Sequence, residues 1–373
     1  MPRQNPFSFD PTTVKRLQKL LEKDSREHNE KVAANADPLV DGVEPNVLPL
    51  DDVMTNIGKW DLPAFAVDRM ADFVNYYAEF QDRIREMTRG NIVVWLPQYG
   101  RSFNEKSWVT RPTQIARFIG GEELLNDTAC VTVDGKLWDC NRVLVKSCTL
   151  CFVSSSTREG KEVIAHSSMH LLGQILELRF NCLLFGWKID EYGQFYHDIA
   201  HSKTVNGRYI AVDVTKEDLT TLQTIAEMVI SKNFRFERVT VKKADLAKTF
   251  KYSEYRVDQI ENIPDDTYGA VYRCGVFIDL DLSGVPHVRE SSMLKEFEVI
   301  TDVPLKPRRI VGGTVTRVFG RSRPVEKKRY LGSTDHTDEE TDSGSTDHAD
   351  DESCAGVAIE DEVCNTDDTI ILS

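Results

Sequence analysis

Apolar residues recur in alternating steps of four and three between positions 66 and 87 of the chain. The stripe consists of Ala66, Met70, Phe73, Tyr77, Phe80, Ile84 and Met87. This heptad-type spacing places the seven side chains on one face of an α-helix, and the Arg89-Gly90 pair is expected to end it. The pattern predicts a helix over 63–90 that packs on its own domain or pairs with a helix of a partner.

Residues 91–155 show the short, alternating apolar runs that are typical of β-strands. The predicted elements are strands at 92–96, 102–109 and 149–153, a helix from a Thr110 cap to Ile119, and a hairpin over 131–139. Gly120-Gly121 is expected to end the helix, and Asp134-Gly135 is a type I′ turn signal. Two hairpins crossed by one helix predict a β-grasp-like module.

A longer stretch, 157–302, alternates helical and strand-like patterns and predicts a second, α+β unit. The predicted elements are helices at 163–180, 215–232 and 244–250, a hairpin of 183–189 with 194–199, and strands at 235–241 and 271–280. Thr215, followed by Glu217 and Asp218, resembles an acidic N-terminal cap.

Charge is concentrated at the C-terminal end. Fourteen of the 60 acidic residues, and none of the 46 Lys and Arg, follow position 332, so the remaining acids balance the bases. The segment 331–373 is acidic and Ser/Thr-rich and predicts a disordered tail. Residues 303–330 predict a basic segment, and 1–62 a polar extension. The predicted fold class is therefore α+β: a helical N-terminal arm, a β-grasp module, an α+β domain and a disordered acidic tail.

Composition narrows the class of protein. No apolar run is long enough to span a bilayer, and the N-terminus has neither a signal-peptide core nor a presequence, so we expect a cytoplasmic protein without membrane partners. The eight cysteines are expected to be reduced thiols. Cys148 and Cys151 form the one CxxC pair. They lie in a strand-like run, which favours plain strand residues over a zinc site.

Two histidines, His166 and His170, stand four residues apart in an apolar run, so they share one face of a helix. A third, His287, follows the last predicted strand. Imidazole is suited to proton transfer and to metal binding near neutral pH. The three side chains can form a functional site only if they meet, which requires His287 within about 4–6 Å of His170.

The motifs resemble the N-terminal half of the eukaryotic threonyl-tRNA synthetases. In the first unit the resemblance is to the TGS domain, through SWVTRPTQIA at 107–116, VDGKLWD at 133–139 and SCTL at 147–150. In the second it is to the editing (SAD) domain. The motifs there are HSSMHLLG at 166–173, FRFERVTVKK at 234–243, FKY at 250–252, YRCG at 272–275 and PHVR at 286–289. Their collinear order over residues 60–320 makes the resemblance far more specific than any single motif.

The resemblance implies a pocket that hydrolyses the ester of serine wrongly attached to threonine tRNA. The catalytic positions are assigned to His166, His170, His287, Asp279 and Asp281, and the substrate-binding positions to Arg256, Tyr196 and Arg273. An imidazole can activate water, and neighbouring donors can stabilise the oxyanion. The implied partner is tRNA of the threonine type, and a synthetase is a further candidate partner through the helix stripe at 66–87. No resident cofactor is expected.

The sequence departs from the family at this pocket. The segment DLDLSGVPH at 279–287 is two residues longer than its counterpart and has Asp281 where the family has cysteine. A longer loop can displace His287, and a misplacement near 1 Å costs about 100-fold in rate. Arg256 stands where the family has lysine, and it cannot act as a base. The segment at 192–198 is longer by one residue.

Three readings of the histidines therefore remain open: a catalytic set, a metal site (zinc) formed by His166, His170 and His287 with Asp281, or buried histidines inherited from an ancestor. A class II aminoacylation core is not expected, since the family's later motifs are missing. The favoured function is a tRNA-binding or regulatory module with a degenerate editing pocket. The alternatives are a deacylase acting in trans on mischarged tRNA, and a mitochondrial large-subunit ribosomal protein of the same domain make-up.

Overall fold

The computed structural model describes residues 63–202 and 204–322. The predicted polar extension 1–62 and acidic tail 331–373 lie outside the described residues. In the described part, six α-helices and 13 β-strands form a mixed α+β fold, which confirms the predicted class. None of these helices is both long and apolar enough to cross a membrane. The first helix, α1, spans Ala64–Glu86, close to the range that the apolar stripe predicts.

The first unit contains a five-stranded mixed sheet and one helix, α2 (Pro112–Asp127). Its strands are β1 (Asn91–Leu96), β2 (Arg101–Lys106), β3 (Thr128–Val133), β4 (Lys136–Trp138) and β5 (Cys148–Ser154). They are ordered β2-β1-β5-β3-β4, and β1 and β5 run parallel. Asp134 and Gly135 both have positive φ, as a type I′ turn requires. The unit thus consists of two hairpins and one helix, as the sequence predicts.

Helix α2 differs from its prediction at both ends. Its N-cap is Arg111 rather than Thr110: the Gln114 side chain accepts a hydrogen bond from the Arg111 backbone at 2.8 Å. The expected stop at Gly120-Gly121 is a kink, with Gly121 at φ 63°, and helical structure resumes to Asp127. Glycine permits the kink because it has no Cβ.

The second unit has four helices, α3 (Arg158–Phe180), α4 (Lys216–Ser231), α5 (Lys243–Thr249) and α6 (Glu254–Glu261). Its strands are β6 (Cys182–Ile189), β7 (Gln194–His201), β8 (Phe236–Lys242), β9 (Tyr268–Cys274), β10 (Phe277–Asp281), β11 (Glu298–Val299), β12 (Arg308–Ile310) and β13 (Gly313–Arg321). One sheet has the order β10-β9-β8, and the other has β11-β13-β7-β6 with β12 paired to β13. Thr215 caps α4 as predicted.

Helix α1 packs on the second unit, against β8, β10 and α5. Met70, Phe73 and Val74 join the core of that unit. Of the two alternatives for the apolar stripe, packing on its own domain therefore accounts for this part of the helix. The fully buried Arg69 lies among these apolar side chains, and an apolar stripe gives no reason to expect it.

The predicted basic segment is partly structural. Strand β13 pairs with β7 over residues 316–321, so the second sheet continues beyond the boundary placed at 302. Arg317 makes a two-point ion pair with Asp198 at 2.7 Å, and Arg321 binds Glu298. The described part of this segment therefore contributes β12 and β13 to the second sheet.

Helix α3 lies at the centre of the fold, in contact with β6, β7 and β13 on one side and β10 and β3 on another. Thr157 caps its N-terminus by accepting a hydrogen bond from the Gly160 backbone. Gly173 allows β7 to approach, since a methyl group there would lie 2.8 Å from the His197 ring. The helix that carries the histidine pair is therefore buried on most of its surface.

Candidate functional site

The three predicted histidines meet. His166 and His170 project from α3, and His287 comes from the loop after β10. Their ring centroids are 4.6 Å apart for His166 and His170, 5.0 Å for His166 and His287, and 4.9 Å for His170 and His287. They are 3%, 5% and 1% exposed, respectively. The separation thus meets the requirement for an assembled pocket.

Asp281, at the end of β10, faces all three rings. Its Oδ2 atom lies 2.8 Å from His166 Nε2, 3.4 Å from His287 Nε2 and 3.8 Å from His170 Nε2. Its Oδ1 atom accepts a hydrogen bond from the Ser283 backbone at 2.8 Å. We refer to His166, His170, His287 and Asp281 as the histidine–aspartate cluster.

The longer loop does not displace His287, contrary to the expectation from its length. Asp281 and Ser283 close local turns, since the Ser283 hydroxyl accepts from the Val285 backbone at 3.1 Å. Gly284 takes φ 73°, which glycine adopts readily. The two added residues are therefore absorbed in the turn, and His287 returns to the cluster.

Asp279, two residues before Asp281 on the same strand, has a different partner. His170 Nδ1 donates to its Oδ2 atom and Arg256 Nη2 donates to its Oδ1 atom, both at 2.6 Å. Arg256 is buried and comes from α6. The departure from lysine to arginine therefore places a permanent cation on Asp279.

The hydrogen bonds fix the ring orientations of two histidines. The Ser167 hydroxyl donates to the Val163 carbonyl at 2.9 Å, so it accepts from His287 Nδ1 at 3.1 Å. His170 Nδ1 donates to Asp279. The Nε2 atoms of His170 and His287 are buried and have no hydrogen-bond partner among the described protein atoms. Both therefore point towards Asp281 without a bond of their own.

Burial and charge shift the pKa values in opposite directions within the cluster. Burial lowers the pKa of His287 to about 3 and also lowers that of His166, although Asp281 opposes the effect at His166. At His170 burial lowers the pKa, but Asp281 and Asp279 outweigh burial and raise it. Positive charge is therefore favoured at His170.

Both carboxylates remain ionised. Burial raises the pKa of Asp279, but Arg256 and His170 together outweigh burial and hold it at about 2. Burial likewise opposes ionisation of Asp281, and the His166 and His170 imidazoles hold its pKa well below the usual range. Asp279 thus has a fixed counter-ion, whereas the ion-pair partners of Asp281 in the described chain are imidazoles.

A second buried network lies beside Arg256. Arg69 of α1 donates to Glu177 of α3 at 2.7 Å and to the Tyr252 hydroxyl at 2.6 Å, and Tyr252 donates to Glu177 at 3.0 Å. Phe65 stacks on Tyr252 with centroids 3.9 Å apart. Helix α1 is thus tied to the site by charge, which its apolar periodicity did not indicate.

The first unit also reaches the site, through Asp139. Its carboxylate accepts from the His287 backbone at 3.2 Å and from the Tyr272 hydroxyl at 3.0 Å. Burial raises the pKa of Asp139, although Arg238 and Arg142 oppose the effect. Asp139 is the last residue of the VDGKLWD motif at 133–139, so the sequence marked the residue but did not indicate its contact with the His287 loop.

Two predicted substrate-binding residues lie elsewhere. Tyr196 is on the outer face of β7, where the Arg317 guanidinium stacks 3.4 Å from its ring centroid. Arg273 of β9 pairs with Glu237 at 2.7 Å and lies over the Phe73 ring of α1. Strand alternation explains the first error, since the neighbouring His197 faces α3 instead and donates to the Met169 carbonyl at 2.8 Å.

The surroundings of the cluster restrict access. Trp187 of β6 is 38% exposed and lies 6.0 Å from His166 between ring centroids, so it stands at the border with solvent. On the inner side, a small pocket borders His170 and His287 and is lined by Gln174, Phe236 and Tyr272. Both amide atoms of Gln174 are buried there without a protein partner.

The CxxC cysteines take no part in the cluster. Cys148 and Cys151 are buried, unbridged residues of β5. Among the described residues, the group whose ligand atoms converge closely enough for a metal consists of His166, His170, Asp281 and His287. Strand burial accounts for the cysteines, as the strand reading predicts.

The chain is similar in sequence to threonine–tRNA ligases. It is 30% identical over 275 residues to the cytoplasmic enzyme of Saccharomyces cerevisiae, which is 71% of this chain and 36% of that protein. It is 32% identical over 212 residues to cytoplasmic threonine–tRNA ligase 1 of Bos taurus, which is 56% of this chain and 27% of the relative. It is 29% identical over 278 residues to a mitochondrial enzyme of Arabidopsis thaliana, at 72% and 37% coverage.

No protein-family model matches the chain. The chain spans between 27% and 37% of the length of these three relatives. The similarity covers more than half of the chain in each case. The protein therefore contains a region related to the threonine–tRNA ligases.

Proposed function

We propose that this protein is a tRNA-binding module related to threonyl-tRNA synthetases, whose editing-type pocket no longer hydrolyses its ester substrate. The observation that carries the proposal is the internal pairing of the pocket. Asp279 is held by Arg256 at 2.6 Å and Asp281 by His166 at 2.8 Å. Both carboxylates and His166 are therefore engaged by partners within the pocket.

Most groups of the pocket are unsuited to act as a general base, and His170, whose pKa Asp281 and Asp279 raise, favours the protonated form, which accepts no proton. A base must reach the water within about 2.6–3.2 Å and works best with a pKa near the operating pH. His166 Nε2 is engaged by Asp281, burial lowers the pKa of His287 to about 3, and Asp279 is held at about 2. Arg256 stays protonated, so it binds an anion but accepts no proton.

Recognition of tRNA is supported by the relatives and by exposed aromatic rings. The relatives are named as ligases of threonine to tRNA. Trp187 borders the cluster, and Trp95 of β1 is exposed on the first unit. Nucleic-acid bases stack on such rings, each stack contributing roughly 1–3 kcal/mol to binding. We therefore expect the acceptor end of tRNA to approach the cluster at Trp187.

The experiment compares deacylation and binding by the full chain. The substrate is threonine tRNA charged with serine, and the readout is release of labelled serine. We expect hydrolysis at the uncatalysed rate, with tRNA binding retained and weakened by Trp187→Ala. Hydrolysis that is well above background and is lost in His166→Ala/His170→Ala would overturn the proposal, as would failure of the chain to bind tRNA.

Restoring the family's residues provides the matched gain of function. In Asp281→Cys/Arg256→Lys the carboxylate is removed from His166, and a group that can lose its proton replaces the guanidinium. We expect this double variant to hydrolyse the serine ester faster than the natural chain. Asp198→Cys/Arg317→Lys, on the outer face of β7, is the matched control and should give no gain.

A deacylase is the second candidate, favoured by one observation. The three imidazoles are assembled within 5.0 Å of one another, between ring centroids, despite the altered loop. An enzyme would have to open the Asp281 contact so that His166 could bind water. Hydrolysis by the natural chain that depends on His166 would decide for this candidate.

A further inference from the structure

We infer that the histidine–aspartate cluster is a binding site for a divalent transition-metal ion, with zinc as the best fit. The ligands are the Nε2 atoms of His166, His170 and His287 and a carboxylate oxygen of Asp281. The site stands on its own geometry and does not rest on the proposed function.

The spacing of the four ligand atoms matches a tetrahedral ion. They lie within 4.8 Å of one another. Zinc binds imidazole nitrogen and carboxylate oxygen at about 2.0–2.2 Å, which separates tetrahedral ligands by roughly 3.3–3.5 Å. The Asp281 Oδ2 atom is 2.8, 3.4 and 3.8 Å from the three nitrogens. The three Asp281 contacts therefore need to change by less than an ångström, and the widest ligand pair by up to about 1.3 Å.

The hydrogen bonds on the far side of two rings aim them at the ion. His170 Nδ1 donates to Asp279 and His287 Nδ1 donates to the Ser167 hydroxyl. In the neutral form of each ring the opposite nitrogen then carries a lone pair. Burial favours the neutral form at His287, whereas His170 must give up a proton to reach it. Partners of this kind fix metal-binding histidines in other proteins.

The unpartnered nitrogens are an independent sign of a missing ligand. Buried polar atoms are almost always hydrogen-bonded. Here the Nε2 atoms of His170 and His287 have no protein partner and converge on the Asp281 carboxylate. At His287, which burial keeps neutral, a lone pair facing a carboxylate is unfavourable, and a cation between the two turns the contact into bonds.

The donor set selects the class of ion. Imidazole suits zinc, cobalt, nickel, copper and iron, whereas magnesium and calcium prefer oxygen ligands. Three imidazoles and one carboxylate fill all four positions of a tetrahedral zinc site, as in structural sites, and leave no place for a reactive water. Such an ion would hold α3, β10 and the His287 loop together.

Two of the histidines must lose a proton on binding: His170, at which the two aspartates favour the charged form, and His166. The His166 Nε2 atom donates to Asp281 when the ion is absent, so this proton must leave Nε2 before the nitrogen can bind metal. Binding is therefore expected to weaken as the pH falls, since the ion competes with protons for the imidazoles.

The test uses the full chain, stripped with chelator and titrated with zinc alone by calorimetry, and then with cobalt by visible spectroscopy. We expect one tight ion per chain and the intense absorption of tetrahedral cobalt. Asp281→Asn should weaken zinc binding by about 100-fold, and Ser167→Ala by roughly 10-fold. His197→Gln, a buried histidine outside the set, should leave binding unchanged.

A second variant keeps the test decisive if Asp281→Asn fails to fold. Asp281→Cys replaces the carboxylate with a thiolate, another good zinc ligand, so metal should still bind and cobalt should gain a sulfur-to-metal charge-transfer band. His336→Ala/His348→Ala controls for binding by the acidic tail. Absence of a tight ion, an octahedral cobalt spectrum, or equal loss in His197→Gln would overturn the site. Hydrolysis by the zinc-loaded chain would instead overturn the proposed function and leave the site intact.

Discussion

Asp279 and Asp281 lie two residues apart on β10, are equally buried, and differ in what neutralises them. Asp279 has Arg256, a cation that is never lost, at 2.6 Å. Asp281 faces three imidazoles, whose charge depends on a proton or on a bound ion. Asp279 therefore keeps a fixed counter-ion, whereas the counter-ion of Asp281 changes with protonation or ion binding.

The largest effect on stability is expected from removing Arg256, the fixed counter-ion of Asp279. Arg256→Met leaves Asp279 buried without its cation, and removing one partner of a buried ion pair costs about 3–5 kcal/mol. We expect the free energy of unfolding, measured in urea, to fall by that amount. In Arg256→Met/Asp279→Asn no unpaired charge remains, so much of the loss should be recovered. If the single and double variants were equally unstable, the ion pair would not explain the effect.

The histidine–aspartate cluster around Asp281 should instead stabilise the fold when a metal ion is added. An ion that binds the folded chain alone adds about 2.7 kcal/mol when its free concentration is 100 times the dissociation constant. Thermal melts with and without zinc should show this gain in the natural chain and not in Asp281→Asn. Arg256→Met should keep a zinc-dependent gain, despite its lower starting stability. A gain that persisted in Asp281→Asn would place the ion elsewhere.

His197, a buried histidine that bonds to neither carboxylate, should make the stability of the fold depend on pH. Burial lowers the pKa of His197 to about 4. Below its unfolded pKa of about 6.5, the unfolded chain binds a proton that the folded chain does not, so stability falls as the pH falls towards 4, at up to 1.4 kcal/mol per pH unit. In chelator, unfolding of His197→Gln from pH 7 to 4.5 should show a slope smaller by up to one proton. An unchanged slope would contradict this assignment.

The smallest effect is expected at the ion pair on the outer face of the second sheet. Arg317 and Asp198 form a two-point contact at 2.7 Å but are partly exposed. Partly exposed pairs contribute up to about 1 kcal/mol, because water screens the charges. Arg317→Gln should therefore lower the free energy of unfolding far less than Arg256→Met. A loss as large as that of Arg256→Met would mean that exposure does not separate the two pairs.

The elements of the fold were largely predictable because hydrophobic spacing is a local property. The stripe at 66–87, the Asp134-Gly135 turn and the Thr215 cap each specify an element from neighbouring residues. The predictions differed from the structure where contacts between residues distant in sequence outweighed local preferences. Gly121 kinks α2 without ending it, and the basic segment pairs with β7 as β13.

The site was predictable only in part. The HxxxH spacing places His166 and His170 on one helical face, and His287 was recognised as a third histidine after the last predicted strand. The family resemblance pointed to Asp279 and to the position that Asp281 occupies. Tyr196 was chosen where strand alternation turns His197 towards the helix. Three further residues were missed: Arg69, Glu177 and Asp139. Arg69 binds Glu177, and Asp139 binds the His287 backbone, and in both contacts the partners are more than a hundred residues apart in sequence.

The sequence alone determined the helix that carries two histidines, the identity of the residues that depart from the family, and the relation to threonyl-tRNA synthetases. The tertiary structure decided which cation each carboxylate faces. Asp279 and Asp281 are chemically the same, and their environments are set by α6, α3 and the His287 loop. Burial makes that choice matter, because in a medium of low dielectric the nearest charges control protonation and ion binding.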